Sequence, residues 1–298
     1  NLFEVIIMSE STTRNSLEQR TLISGRTMGL IMAGLILFAA IAMISDTFLG
    51  GYTMFVLSRQ VALCTIIALA QAVCLVVGGM NLSVGAIGSM STVVLGIAFA
   101  QAGLSWWLSV PLALLSGGLA GLGNGLLIVK LRINPFIVTL STMFILMGLR
   151  SGISGGQPYA VPASFTTVGQ QGVFGIPYTF LIMLLVLSVM SYMYRNTVFG
   201  RRMLATGGNA DAARLSGINN DHMVIGANVL SGVLAALAAV LFASELGSAA
   251  PETGDSWLIV SFAVAIIGGT GLIGGVVSPY GILMGGVIYT LISHGLIE

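Results

Sequence analysis

The chain has 298 residues, 56% of them hydrophobic and 7% charged. A soluble globular protein carries about a quarter charged residues, so this composition excludes a soluble fold and points to a single polytopic membrane domain. The net charge of +1 offers no electrostatic basis for binding nucleic acid.

Residues 1–26 are polar and mixed in charge and lack the short apolar core of a cleaved signal. They predict a cytoplasmic N-terminal segment, with Met8 a candidate natural start. From residue 27 onward, apolar runs bounded by polar or turn residues predict nine spans, near 27–45, 60–78, 84–103, 106–129, 136–149, 177–194, 222–244, 257–268 and 276–292. The runs at 136–149 and 257–268 are short for a crossing. They are expected to extend further, or to be broken or re-entrant pieces covered by protein or lining a wet cavity. Residues 27–298 therefore read as one all-α polytopic membrane domain of about 9–10 transmembrane helices, some short or broken. Nine spans leave Glu298 outside, and the abrupt end at 294–298 predicts a tenth helix beyond it.

With the N-terminus in the cytoplasm, Arg14, Arg20, Arg26, Lys130, Arg132, Arg195, Arg201, Arg202 and Arg214 lie inside, and only Arg59 and Arg150 lie outside. That bias follows the positive-inside rule. The segment 245–256 falls outside and carries Glu245, Glu252 and Asp255 without a base. Trp106 and Trp107 open a span at the outer surface, where an aromatic belt is expected. Cys64 and Cys74 share one apolar run and read as small buried hydrophobes, with no disulfide or metal site.

The stretch GGMNLSVGAIG at 78–88 interrupts the apolar pattern. Gly78 and Gly79 are expected to end one span. Asn81 or Ser83 is expected to cap the next, and the glycines, Gly85 included, let the turn lie close to a pathway or flex during gating. A simple interhelical turn is the plainer alternative. The related stretch GGTGLIGGVV at 268–277 also links two apolar runs and shares glycines and a leucine in register. It reads either as chance likeness between glycine-rich turns or as half of an inverted internal repeat whose broken helices meet at a pathway.

Chemistry-bearing motifs are sparse. The only lysine, Lys130, follows Val129, so no Gly-Lys-Ser/Thr phosphate loop exists. His222 and His294 are far apart, which argues against a histidine metal site or triad. Asp46 and Glu245 sit at span ends, and no acid lies in mid-span. That argues against a self-powered proton carrier. The polar residues in or near spans are uncharged: Gln71, Asn81, Ser83, Asn124, Thr139, Ser141, Thr142, Asn228 and Ser261. They fit helix–helix hydrogen bonding or a polar lining for a neutral, hydroxyl-rich solute. The run from Gly117 to Gly125 predicts close helix packing.

Segment 195–221 is the longest polar internal stretch. Gly207-Gly208-Asn209 marks a turn. Asn209 or Asp211 can cap a short helix through Ala212, Ala213 and Arg214, and Gly217 can stop it. The segment reads as an ordinary cytoplasmic loop or as a docking helix for a cytoplasmic partner.

In this order, GGMNLSVGAIG, KLRINPFIVTL at 130–140, GRRMLATGGNADAARLSGIN at 200–219, and Ile267-Gly268-Gly269-Thr270 with Gly274-Gly275 resemble the permease subunit of bacterial ABC sugar importers, the group serving ribose, arabinose, xylose and galactose. The likeness covers about residues 27–298. Branched-chain amino-acid permeases are more distant relatives sharing parts of the pattern. The resemblance implies a non-enzymatic subunit in the bacterial inner membrane that pairs with a second copy or paralogue. It implies a partner ABC ATPase that binds ATP and Mg, a periplasmic solute-binding protein, and no cofactor on this chain. Gly207, Gly208, Asn209, Asp211, Ala212, Ala213, Arg214 and Gly217 would form the coupling segment. Gln71, Asn81, Ser83, Gly85, Asn124, Thr139, Ser141 and Asn228 are the pathway or gating candidates. Family members continue past a position like Glu298 into a last span and a basic tail. A standalone secondary transporter is the remaining alternative; an intramembrane enzyme lacks any nucleophile–base or metal set.

Overall fold

A computed structural model describes residues 28–45 and 47–295. The expectations for segment 1–26, for Asp46 and for the end at Glu298 lie outside the described residues. The helices are α1 (Met28–Ile44), α2 (Gly51–Val76), α3 (Val84–Ala100), α4 (Trp106–Leu131), α5 (Pro135–Ser154), α6 (Ala163–Gln170), α7 (Tyr178–Asn196), α8 (Val198–Gly208), α9 (Ala210–Leu215), α10 (Asn220–Leu246), α11 (Trp257–Ile267) and α12 (Pro279–Gly295). Five of them, α2, α4, α5, α7 and α10, are long and apolar enough to cross a membrane by length and composition. The protein is an all-α membrane protein.

α2 is the hub. From Val61 to Val76 it is apolar on every side apart from Thr65 and Gln71, and every residue of that stretch is buried, as expected of a helix enclosed by others. α3, α7, α10, α11 and α12 pack on it. α4 and α10 form the closest pair. Gly117, Gly121 and Gly125, four residues apart, press against the α10 backbone at Gly232, Asn228 and Ile225. α5 is the least covered long helix, with 17% of its apolar window buried.

Several elements differ from the sequence-based expectation. α5 is 20 residues long, since Asn134 caps it through a 2.9 Å bond from Phe136 N and Gly155, in a left-handed conformation, ends it. The short run at 136–149 was only its most apolar part. α2 begins nine residues before the predicted span at 60–78 and takes in Arg59, which pairs with Glu245 at 3.5 Å. α11 has 11 residues, about 16 Å of helix, too short to cross alone. It is reached by the irregular segment 250–256, which runs along α3 and brings Gly254 against the Gly85 backbone.

Segment 195–221 is not a plain loop. α8 precedes α9, and Gly207 and Gly208 are the last residues of α8 rather than a turn. Small extended pieces complete the other end of the bundle. Tyr159–Ala160 pairs with Ser248–Ala249, and Gly172–Val173 with Ile176–Pro177.

The two glycine-rich turns end their helices identically. Gly78 N bonds Leu75 O and Gly79 N bonds Cys74 O; Gly269 N bonds Ile266 O and Thr270 N bonds Ala265 O. Both are the paired bonds of a glycine-terminated helix, with Gly78 at φ 81° and Gly269 at φ 84°. Gly78 thus corresponds to Gly269, one residue later than the sequence register pairing 78 with 268.

Candidate functional site

The 78–83 turn opens a buried network of neutral polar groups. Thr142 Oγ1 donates to Asn124 Oδ1 (2.7 Å), Asn124 Nδ2 to Ser83 Oγ (2.9 Å), Ser83 Oγ to Asn81 Oδ1 (2.6 Å) and Asn81 Nδ2 to Ser231 Oγ (3.0 Å). The chain of bonds joins α5, α4, the turn and α10. Asn81, Ser83 and Ser231 are fully buried and Asn124 nearly so. A buried amide with each of these partners is stabilised; stripped of them it would cost about 1–3 kcal/mol. Thr139 fastens the same turn to α5, accepting from Leu82 N (3.1 Å) and donating to Pro135 O (2.8 Å).

Neither Asn81 nor Ser83 caps α3 in the expected way. Ser83 occupies the N-cap position, but its side chain makes no cap bond because its hydroxyl is committed to Asn81. Asn81 Oδ1 instead accepts Ser83 N (3.0 Å).

The other pathway candidates are scattered. Asn228 is buried and donates to Val224 O on its own helix (2.9 Å). Gln71 is fully buried within α2, and neither its oxygen nor its nitrogen meets a partner. Gly85 packs on the Gly254 backbone, and Ser141 is exposed on α5. The sequence reading gave Thr142 as a helix-bonding or polar-lining residue, though not among the pathway candidates, and missed Ser231, which carries no local signal and is linked to Asn81 only by the fold.

A second polar knot joins α5 to segment 250–256. Arg150 is 4% exposed. Its Nη1 donates to Ser89 Oγ (2.7 Å) and Pro251 O (2.6 Å), and Nη2 to Asp255 Oδ2 (2.9 Å). Ser89 Oγ also accepts Gly254 N (2.8 Å). Arg150 is thus a buried, paired member of α5 rather than a free loop base, and its pairing holds the irregular segment on α3.

At the opposite end from Tyr159–Ala160 and α6, Asn209 Oδ1 accepts Ala212 N (2.9 Å) and so caps α9, while Gly217, at φ 78°, terminates it. Ala213 is the only buried residue of α9. Asp211, Ala212 and Arg214 are exposed, and Leu215, which the sequence reading did not single out, is 88% exposed. An apolar knob beside an arginine on a short projecting helix is suited to a protein partner. A cleft of about 770 Å³ opens next to it, with Lys130, Arg132, Arg214 and Asp221 in its lining. Among the described residues no three His, Cys, Asp or Glu side chains are placed to hold a metal ion.

The family model described as "Branched-chain amino acid transport system / permease component" matches residues 53–298. The chain belongs to this permease family. The ribose import permease of Haemophilus influenzae is 32% identical over 294 residues, 97% of this chain and 90% of that protein. The autoinducer 2 import system permease of Yersinia pseudotuberculosis is 34% identical over 271 residues, 90% and 76% of the two chains. The ribose import permease of Bacillus subtilis is 33% identical over 272 residues, 90% and 84%. No solved structure matches the chain.

Proposed function

We propose that this chain is the membrane-spanning subunit of an ATP-driven importer that carries a monosaccharide or similar neutral, hydroxyl-rich solute across the bacterial inner membrane. Its N-terminus faces the cytoplasm, so α8 and α9 face it too. The reading rests on one observation: three relatives spanning most of this chain are import permeases for ribose or autoinducer 2. The buried network supports it, since hydroxyls and amides suit a neutral polyol and carry no charge for an ion to meet.

The chain performs no covalent chemistry. A cytoplasmic ATPase binds ATP and Mg, a periplasmic protein delivers the solute, and a second copy or paralogue completes the core. α9 docks in the ATPase, with Arg214 and Leu215 as its contacts, and alternation between outward- and inward-facing states follows ATP binding.

The family description names branched-chain amino acids, a second reading. Such a zwitterion needs charged complements, and the charges within the bundle, Arg59 with Glu245 and Arg150 with Asp255, already neutralise each other. Solute-binding assays on the periplasmic partner separate the two.

The first experiment is gentle purification from native membranes with mass spectrometry of what co-purifies. A stoichiometric ABC ATPase is expected. A preparation without one that still takes up solute in vesicles would overturn the proposal. Within the complex, Gly217→Pro is expected to abolish uptake while leaving membrane insertion intact, because proline cannot adopt the positive φ at this position. Normal uptake would exclude α9 as the docking helix.

A further inference from the structure

Three glycine-bearing backbones meet directly beneath the polar network. They are the end of α2 (Val76–Gly78), the end of α8 (Gly207–Gly208) and residues 274–275 before α12. Gly275 N donates to Val76 O (2.9 Å), satisfying a carbonyl that the end of α2 leaves without a helical partner. A Cβ at Gly207 would fall on Val76 O and within 2.6 Å of Gly275 N. A Cβ at Gly274 would lie 2.7 Å from Gly207 O and 3.0 Å from Gly78 N. No side chain lies between these backbones, so no rotamer can absorb a displacement of one against another.

The contact has a driven side and a free side. α8 leads straight into α9, and Asn220 braces both, accepting from Thr206 Oγ1 (3.1 Å) and donating to Ala210 O (2.7 Å). On the other side the turn borders a cavity of about 60 Å³, lined in part by Val77, Gly79, Pro135 and Asn228. The turn also continues into Asn81 and Ser83 and is tied to α5 by Thr139.

We infer that Gly207 and Gly275 are positioning residues of the transport cycle: through them, movement of α9 displaces the 78–83 turn, and the turn shifts α5 and the polar network. This rests on the proposed docking of α9 to an ATPase.

The test uses the whole complex, with its ATPase and binding protein, in proteoliposomes, and reads solute imported per ATP hydrolysed. Gly207→Ala is expected to keep its ATPase and to hydrolyse ATP while the ratio falls by about tenfold, within the span of ordinary couplings between sites. Gly29→Ala, on α1 away from this contact, is the control, because a Cβ there meets nothing within 4 Å; its ratio is expected to stay at the wild-type value. A purely structural role would lower the yield of complex and leave the ratio unchanged. A wild-type ratio in Gly207→Ala, or an equal loss in Gly29→Ala, would overturn the inference.

Should Gly207→Ala fail to fold, spin labels on Ala205→Cys and Ile273→Cys give a second reading. Both native cysteines are buried, and Ala205 and Ile273 are exposed. Their separation is expected to stay fixed through the nucleotide cycle, and a nucleotide-dependent change would refute rigid transmission. Failure of the functional proposal itself shows separately, as a wild-type complex without ATP-driven uptake.

Discussion

Asn124 is the residue on which the buried network turns, since it accepts from Thr142 and donates to Ser83. Asn124→Leu keeps the volume and removes both bonds, leaving Ser83 and Thr142 without them. The expected cost is about 1–3 kcal/mol, read as a lower melting temperature of the purified protein together with reduced uptake. Ser141→Ala, at an exposed position one residue before Thr142, is expected to leave the melting temperature unchanged. Arg150→Met should also destabilise, because it strips Ser89, Pro251 and Asp255 of their donor at once. With Asp255 partly in solvent (43% side-chain exposure), the expected loss is about 1–3 kcal/mol rather than the 3–5 of a fully buried pair. It should appear with faster proteolysis at 250–256. At this scale the sequence was legible where a residue acts locally, as with Asn209 and Gly217 around α9, whereas the cap of α5 by Asn134 was not read. The sequence was not legible where the partner is distant. Nothing beside Ser231 announces Asn81, and the two positions are 150 residues apart.

Among elements, the α4–α10 pair shows how glycine spacing sets helix separation. Gly121 sits over the carbonyl of Asn228, while a Cβ at Gly123 would meet nothing within 4 Å. Gly121→Val is therefore expected to force the helices apart and lower the melting temperature. Gly123→Ala should raise stability by up to about 1 kcal/mol through reduced backbone entropy of the unfolded chain. Equal effects at the two sites, measured by thermal unfolding in detergent, would rule out the close approach as the reason for the glycine run. The run was legible from composition, but which glycines face α10 was not. Polar residues misled the reading elsewhere. Ser58, Arg59 and Gln60 read as the edge of a span, yet α2 continues through them because Arg59 finds Glu245 and the Gly169 carbonyl. α8 was hidden for the same reason: its arginines made an amphipathic helix look like a loop.

For the whole molecule, the question is where the energy for uphill transport enters. A gradient-driven carrier has to bind its coupling ion, and to bind it differently in its two states. The network at the 78–83 turn contains only hydroxyls and amides, none of which changes charge near neutral pH. Arg59 with Glu245 and Arg150 with Asp255 each tie two elements together and balance within the pair. The proposed entry point for an outside source of work is α9, which exposes Leu215 and is joined through α8 to the end of α2. Liposomes holding this chain alone, under an imposed proton or sodium gradient, are therefore expected to take up labelled monosaccharide no faster than empty ones. With the ATPase and binding protein present, ATP on the α9 side should start uptake. Between about pH 6 and pH 8 its rate should follow the pH profile of the ATPase measured separately, because no titrating group on the network adds a second. Uptake driven by either gradient without ATP would place the energy source inside this chain and leave α9 without a coupling role.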